Sequence, residues 1–89
     1  MPNVKLTRRF LKDLDKWEKS GKNMSPLDEF INAIHTIWPP PGKYEAHLLA
    51  GEMEGIWDIH LRQNWILLAR FHEGTVTLLR MGTHADLKL

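Results

Sequence analysis

The last ten residues contain the histidine best placed to transfer a proton. A strand-like run over residues 76–80 ends in a glycine break, and His84 follows at once, ahead of a short tail that includes Leu87 and Leu89. Histidine has an unperturbed pKa near neutrality, which suits proton transfer to a reacting group. Because chain ends fray unless they are held, the two leucines are expected to keep His84 both fixed and reachable. The alternative is an ordinary surface histidine.

The other reactive side chains exclude several kinds of chemistry. No two histidines have the H-x-x-x-H or H-x-x-E-H spacing of a zinc site, so neither a metal nor a cofactor is expected. Ser20 and Ser25 look like helix-end residues rather than members of a triad, and no glycine-rich phosphate loop is present. Acid–base catalysis by histidines remains, with Arg80 steadying negative charge. RNA needs this combination when its own 2′-hydroxyl attacks the adjacent phosphate.

The composition indicates one small domain, residues 1–89, without cysteine. No apolar stretch reaches the roughly 18 residues of a membrane span and no signal segment is apparent, so a soluble, cytoplasmic protein without a membrane partner is expected. The net charge of +1 gives weak support for nucleic-acid binding. Positive charge is nevertheless crowded into the first quarter of the chain, where it forms either a solvated helix face or a surface for phosphate. These cations are Lys5, Arg8, Arg9, Lys12, Lys16, Lys19 and Lys22.

The hydrophobic pattern predicts an α+β fold of order β-α-α-β-β-β, with a mainly antiparallel sheet and a helical hairpin packed on one face. Thr7 is expected to cap the first helix, which runs to about residue 20. The second helix begins at Ser25, buries a stripe that ends at Trp38, and is stopped by the following prolines. Segment 42–55 reads as a loop. The predicted strands span residues 2–6, 56–61, 65–71 and 75–80.

Side-chain alternation across the last three strands separates an apolar face from a polar one. Two-residue turns would place Ile59 opposite Leu68 and Leu68 opposite Leu79. His60 and Arg80 would then lie about 10 Å apart on the polar face, with two strand spacings between them. The apolar face is predicted to hold Trp57, Ile59, Leu61, Ile66, Leu68, Leu79 and Met81. The polar face is predicted to hold Asp58, His60, Arg62, Trp65, Leu67, Val76 and Arg80.

Four stretches of the second half are similar to one known family. Residues 43–89 resemble the RelE/ParE superfamily of bacterial toxins, most closely its YafQ-like branch of mRNA interferases. The first 40 residues match this family only in pattern, as a strand followed by a helical hairpin, in agreement with a RelE-like fold. The matching stretches are residues 47–51, 57–60, 64–67 and 80–87.

The resemblance implies a toxin that enters the ribosomal A site and cuts mRNA there without a metal. The 2′-oxygen attacks the neighbouring phosphorus and leaves a 2′,3′-cyclic phosphate and a 5′-hydroxyl. By position, His47 and His60 would orient or deprotonate the 2′-hydroxyl. Arg80 would neutralise the phosphate, and His84 would protonate the leaving 5′-oxygen.

The resemblance also implies substrate-binding residues, two of which depart from the family pattern. Asn64 stands where the family has an aspartate, and Lys88 stands where an aromatic residue usually follows the last leucine. Either change would lower activity or alter codon preference, although Asn64 also suits a turn. The full set expected to bind substrate is Arg62, Asn64, Trp65 and Lys88.

Two alternatives to the nuclease function stay open. One is a ParE-like toxin that inhibits gyrase without chemistry, and the other is a weakened toxin kept as an antitoxin partner and co-repressor, as Asn64 suggests. The expected partners of the nuclease are the ribosome, mRNA and a cognate antitoxin whose disordered segment folds on binding. Contact with DNA is expected only through the complex with the antitoxin.

Overall fold

The predicted strands and helices occur in the predicted order. The structure adds a 3₁₀ turn, a two-residue strand that begins at His47 and a one-turn helix that begins at His84. The computed structural model describes residues 2–51 and 55–89. The α+β class is confirmed, with a helical hairpin ahead of a three-stranded meander. The elements are β1 (Asn3–Leu6), α1 (Arg8–Lys19), α2 (Ser25–Ile34), a 3₁₀ turn (Gly42–Tyr44), β2 (His47–Leu48), β3 (Ile56–Arg62), β4 (Trp65–His72), β5 (Thr75–Gly82) and α3 (His84–Leu87).

The five strands form one mixed sheet in the order β1-β5-β4-β3-β2. Strand β1 runs parallel to β5, and the remaining pairs are antiparallel. Strand β2 lies within the segment that was predicted to be a loop, so that prediction is wrong for His47 and Leu48. Residues 52–54 of the same predicted loop lie outside the described residues. The sheet thus extends far enough to carry His47 beside β3.

The helical hairpin covers one face of the sheet and encloses the main core. Thr7 caps α1, since its Oγ1 accepts a hydrogen bond from Phe10 N at 3.0 Å and donates one to the carbonyl of Leu79, also at 3.0 Å. The first helix is thereby tied to β5 at its start. The buried residues of this core are Phe10, Leu27, Phe30, Ile34, Tyr44, Ile59, Leu61, Trp65, Leu67, Ala69, Val76, Leu78 and Met81.

The second helix is shorter than its apolar stripe predicts. It ends at Ile34 rather than near Trp38, and Thr36 Oγ1 donates to the carbonyl of Ala33 at 3.0 Å. A side chain that bonds the preceding turn competes with continued helix, and the residue before Pro39 disfavours helical backbone. Trp38 still packs against the main core. None of the described helices is long and apolar enough to cross a membrane.

Two β-bulges shift the register of the meander by one residue. Ile59 pairs with Leu67, and Leu68 pairs with Arg80. The extra residues are Leu61 and Leu79, each lying between two consecutive pairs of the ladder. A one-residue slip moves alternate side chains to the opposite face, so much of the predicted face assignment for β4 and β5 is wrong. Strand β3 keeps its predicted faces.

The register shift moves apolar residues of β4 and β5 between the two faces. Trp65, Leu67 and Val76, which were predicted on the polar face, lie in the main core beneath the helices. Ile66, Leu68 and Leu79, which were predicted beneath the helices, belong to a second apolar cluster that includes Leu87 of α3. The open face of the sheet is therefore partly apolar, and α3 packs on it.

Candidate active site

Three imidazole rings lie side by side on the face of the sheet away from the helical hairpin. His47 comes from β2, His60 from β3 and His84 from the start of α3. The ring centroids of His47 and His60 are 6.3 Å apart, and those of His60 and His84 are 5.8 Å apart. Both pairs meet edge to face, at 80° and 78°. His60 is therefore the ring that neighbours both of the others.

A cavity of about 390 Å³ adjoins the rings of His60 and His84. We call the three imidazoles and this cavity the histidine cleft. Arg62 contributes positive charge to it, while Lys43 pairs with Glu29 on α2, and this pairing raises the pKa of Lys43 and lowers that of Glu29. The cavity is lined by Lys43, Glu45, His60, Leu61, Arg62, Gln63, Asn64 and His84.

A closed capping box fixes the short helix that carries His84. Thr83 Oγ1 accepts a hydrogen bond from Asp86 N at 3.1 Å, and Asp86 Oδ2 accepts one from Thr83 N at 3.0 Å. Hydrogen bonding to the Asp86 carboxylate by the backbone N–H of Thr83, and then by the Thr83 side chain, holds the pKa of Asp86 below its ordinary value. Leu87 is buried against the second apolar cluster, as predicted, whereas Leu89 is exposed. One leucine and one capping box therefore tie down the end of the chain.

Asn64 sets the orientation of the His84 ring. Its Oδ1 accepts hydrogen bonds from the His84 backbone N at 2.9 Å and from Nδ1 at 2.8 Å. A backbone N–H only donates, so the amide atom that faces it is the oxygen, and Nδ1 must then carry a hydrogen. This leaves Nε2 of His84 for exchange with a substrate. Asn64 also occupies the turn between β3 and β4 with φ of 57°, a conformation that asparagine tolerates.

Acidic side chains lie close to the His60 ring. Asp58 Oδ1 lies 2.7 Å from Nε2, although the angle is not that of a hydrogen bond, and Glu45 Oε2 lies 3.9 Å from Nδ1. Asp58 and His60 alternate with buried residues along β3, so both lie on the face of the sheet that carries the histidines, and His47 is directly opposite Asp58 on β2. A carboxylate beside an imidazole orients the ring and stabilises positive charge on it. Sequence reasoning placed Asp58 on this face but gave it no role.

The guanidinium of Arg80 does not line the histidine cleft. Its Nε and Nη2 donate to the carboxylate of Asp13 on α1, at 2.8 and 3.4 Å, and Asp13 also accepts from Met81 N at 3.0 Å. The backbone of Arg80 nevertheless shares one row of the sheet with Leu68, Asp58 and His47. Arg80 therefore lies in the same row of the sheet as Asp58, but its side chain contacts α1 and not the cleft.

The remaining predicted site residues fall in different environments. Arg62 and Asn64 line the cleft. Lys88 is exposed directly after α3. Trp65 is only 5% exposed and stacks on Trp17 with centroids 5.0 Å apart. The prediction that Trp65 is exposed is wrong, because the bulge at Leu61 turns it towards the helices.

The mixed sheet with a helical hairpin on one face is shared with solved YafQ structures and places the chain in the RelE-like class of small toxins. A family model described as a bacterial toxin of type II toxin-antitoxin system, YafQ, matches residues 2–89. The chain therefore belongs to the YafQ family.

Relatives of this family resemble the chain over nearly its whole length. The mRNA interferase toxin YafQ of Escherichia coli K12 is 29% identical over 86 residues, which cover 96% of this chain and 94% of the relative. YafQ in the Escherichia coli DinJ–YafQ complex is 28% identical with a TM-score of 0.86, and 98% of each chain is covered. A copper-bound mutant toxin from Helicobacter pylori is 28% identical with a TM-score of 0.88, covering 98% of this chain and 99% of that one.

Proposed function

We propose that this chain is the toxin of a type II toxin-antitoxin system and an endoribonuclease that cleaves mRNA and thereby inhibits translation. The observation that carries the proposal is the meeting of three imidazoles in one cleft at centroid distances of 6.3 and 5.8 Å. The name of the Escherichia coli relative, an mRNA interferase toxin, supports the same reaction. Several histidines in one cleft suit proton transfer better than they suit non-catalytic binding of gyrase.

The reaction we assign is an intramolecular transesterification at phosphorus within the RNA strand. The 2′-oxygen forms a bond to the adjacent phosphorus while the bond from phosphorus to the 5′-oxygen breaks. The products are a 2′,3′-cyclic phosphate and a 5′-hydroxyl, and the reaction consumes neither water nor a redox partner. One group must remove the 2′ proton and another must protonate the leaving oxygen.

The geometry supports a division of these two roles among the histidines. His60 accepts the 2′ proton, and Asp58 stabilises the imidazolium that results. His84 donates a proton from Nε2 to the 5′-oxygen, since Asn64 occupies its Nδ1. His47, opposite Asp58, orients the 2′-hydroxyl. Proton transfer by imidazoles requires no metal, so cleavage should persist after the protein has been stripped of transition metals.

Positive charge near the phosphate comes from two arginines in this proposal. Arg62 lines the cleft. Arg80 joins it when its ion pair with Asp13 opens, because its backbone lies two strands from Asp58, or about 10 Å. Lys88, exposed beside α3, is available to the RNA strand. Trp65 supports β4 from the core and does not stack on a base.

We further propose that the substrate is mRNA in the ribosomal A site, which makes the cytoplasm the place of action. A cognate antitoxin should cover the histidine cleft when the toxin is inactive, in keeping with the DinJ–YafQ complex of the relative. Contact with DNA would then run through the antitoxin. One observation favours a second candidate, a weakened toxin kept as an antitoxin partner: Asn64 replaces the family's aspartate beside His84.

A cleavage assay on translating ribosomes tests the proposal. Purified protein that has been dialysed against EDTA should cut mRNA when ribosomes are present in their usual Mg²⁺ buffer, and the upstream fragment should end in a 2′,3′-cyclic phosphate. A parallel supercoiling assay should show no inhibition of gyrase. Absence of cuts together with normal antitoxin binding would favour the weakened-toxin candidate, and cuts that require an added transition metal would contradict the mechanism.

A further inference from the structure

A second cavity, of about 550 Å³, lies between α1 and the segment where β5 ends and α3 begins. Five cationic and two acidic side chains line it, although the whole chain has a net charge of only +1. We call it the basic cavity. Its lining consists of Arg9, Lys12, Asp13, Lys16, Trp17, Ser20, Lys22, Arg80, Met81 and Asp86.

The two acids of the basic cavity already have partners within the protein. Asp13 accepts hydrogen bonds from Arg80 and Met81, and Asp86 closes the capping box of α3. Lys12 and Lys16, by contrast, form no ion pair within residues 2–51 and 55–89. Both lysines are exposed. Their ammonium groups are therefore available to bind a negatively charged ligand.

The arrangement of the cations suits a row of phosphates. Lys12 and Lys16 are one helical turn apart on α1, about 6 Å along the helix axis, and Arg9 lies on the same side one turn earlier. Regularly spaced cations of this kind bind the successive phosphates of a nucleic-acid strand and carry no sequence preference. A phosphodiester backbone matches both the sign and the spacing of this charge.

The two large apolar side chains of the basic cavity are already packed within the protein. The ring of Trp17 stacks on Trp65, and Lys22 Nζ lies 5.1 Å from the ring centroid of Trp17. Met81 is only 2% exposed. An antitoxin segment that folds on binding uses large apolar side chains of its partner as anchors, and the basic cavity presents cations instead. Charge recognition of a nucleic acid fits this cavity better than protein binding does.

We propose that the basic cavity binds the sugar–phosphate backbone of RNA through Lys12 and Lys16, as an anchoring site next to the histidine cleft. The proposal deepens the nuclease function proposed above and depends on it. Asp86 lines the basic cavity and His84 lines the cleft, two residues apart on α3. One RNA strand could occupy both, or ribosomal RNA could occupy the basic cavity while mRNA occupies the cleft.

Binding measurements with a substrate that cannot be cleaved test the anchoring site separately from catalysis. The two probes are a fluorescent 2′-deoxy oligonucleotide, followed by anisotropy, and salt-washed bacterial ribosomes, followed by co-sedimentation. The test variant is Lys12→Glu with Lys16→Glu. The matched control is Lys5→Glu with Arg8→Glu, which makes the same change of net charge at exposed residues outside both cavities.

The test variant should bind at least one probe roughly tenfold more weakly than the control. The slope of log affinity against log salt should fall by about 0.7 for each phosphate of a single strand that the variant no longer neutralises. Weaker binding of the oligonucleotide identifies the mRNA strand as the ligand, and weaker binding of ribosomes alone identifies ribosomal RNA. Lys12→Gln with Lys16→Gln should show a smaller effect in the same direction, with unchanged circular dichroism in both variants.

Equal binding of both probes by the test and control variants would overturn the anchoring site, whether or not the test variant binds the cognate antitoxin more weakly. Neither probe has to be cleaved for its binding to be measured, so a failure of the nuclease mechanism would leave this result unaffected.

Discussion

The amide oxygen of Asn64 accepts two hydrogen bonds from His84, one from the backbone and one from Nδ1 of the ring. Asn64, which stands where the resemblance implies an aspartate, therefore supports the proposed general acid directly. It fixes both the position of α3 and the tautomer of the imidazole. Asparagine preserves the geometry that an aspartate would give but adds no negative charge.

Replacing Asn64 by Ala should lower turnover by as much as roughly 10²-fold, because misplacing a catalytic group by about 1 Å can cost that much. Asn64→Asp should leave turnover unchanged or raise it, since a carboxylate accepts the same two bonds. The carboxylate also favours the protonated ring, so the alkaline limb of the pH–rate profile should move to higher pH. A large decrease in Asn64→Asp would mean that the amide NH₂ has a role of its own.

Asp13 should be more important for stability than the other acidic residues of α1, Asp15 and Glu18. Its side chain is 13% exposed and accepts bonds from both Arg80 and Met81 N. Asp13→Ala leaves these partly buried donors without their partner, which should cost about 1–3 kcal/mol in the free energy of unfolding. Urea denaturation measures the decrease. Asp15→Ala, which removes an exposed pair with Lys19, is the control and should cost under about 0.5 kcal/mol.

The capping box predicts a pH dependence of stability. The bonds from Thr83 lower the pKa of Asp86 in the folded state, so its stabilising charge is fully present above the ordinary pKa of an aspartate. The contribution is lost as the pH falls through the lowered pKa of the folded state. The melting temperature of the wild type should therefore exceed that of Asp86→Asn at neutral pH, and the difference should disappear at acidic pH. A constant difference across this range would contradict the assignment.

Gly82 is the position where even a methyl group should disturb the site. A Cβ built there would lie 2.9 Å from both Cβ and Oδ2 of Asp86. Gly82→Ala should therefore displace Asp86 and open the capping box, at a cost of about 1 kcal/mol, and should lower turnover by releasing His84. Gly42→Ala, where nothing lies within 4 Å of the added Cβ, is the control. Equal melting temperatures and turnover in the two variants would show that Asp86 adjusts freely.

Trp65 should behave as a core residue. Trp65→Ala should lower the free energy of unfolding by about 3–5 kcal/mol, because the ring is buried against Trp17. Trp65→Phe should retain most of the stability and nearly all of the turnover. If Trp65→Phe were fully folded yet inactive, the indole would have a role in the reaction that its burial does not suggest.

Alternation along β3 was sufficient to place Asp58 and His60 on the open face of the sheet. The same logic failed on β4, where Trp65 was assigned to the wrong face. Each bulge adds one residue without any compositional signal, and one residue is enough to invert alternate side chains. The sequence pattern therefore identified the meander but not its register.

Local sequence patterns could not predict contacts between residues that are far apart in the chain. Asp13 and Arg80 are separated by 67 positions, and Asn64 and His84 by 20. The capping box at Thr83 and Asp86 was more accessible, since a threonine three residues before an acid marks a helix start. That signal would have predicted α3 and the fixed position of His84.

The central claim is that His84 is the general acid of an RNA-cleaving cleft. The most direct test compares single-turnover cleavage of ribosome-bound mRNA by wild type, His84→Ala and the control His72→Ala, whose exposed histidine lies at the end of β4. His84→Ala should cut at least about 10²-fold more slowly, with an unchanged circular dichroism spectrum, and His72→Ala should match the wild type. Cleavage by His84→Ala at the wild-type rate would contradict the account.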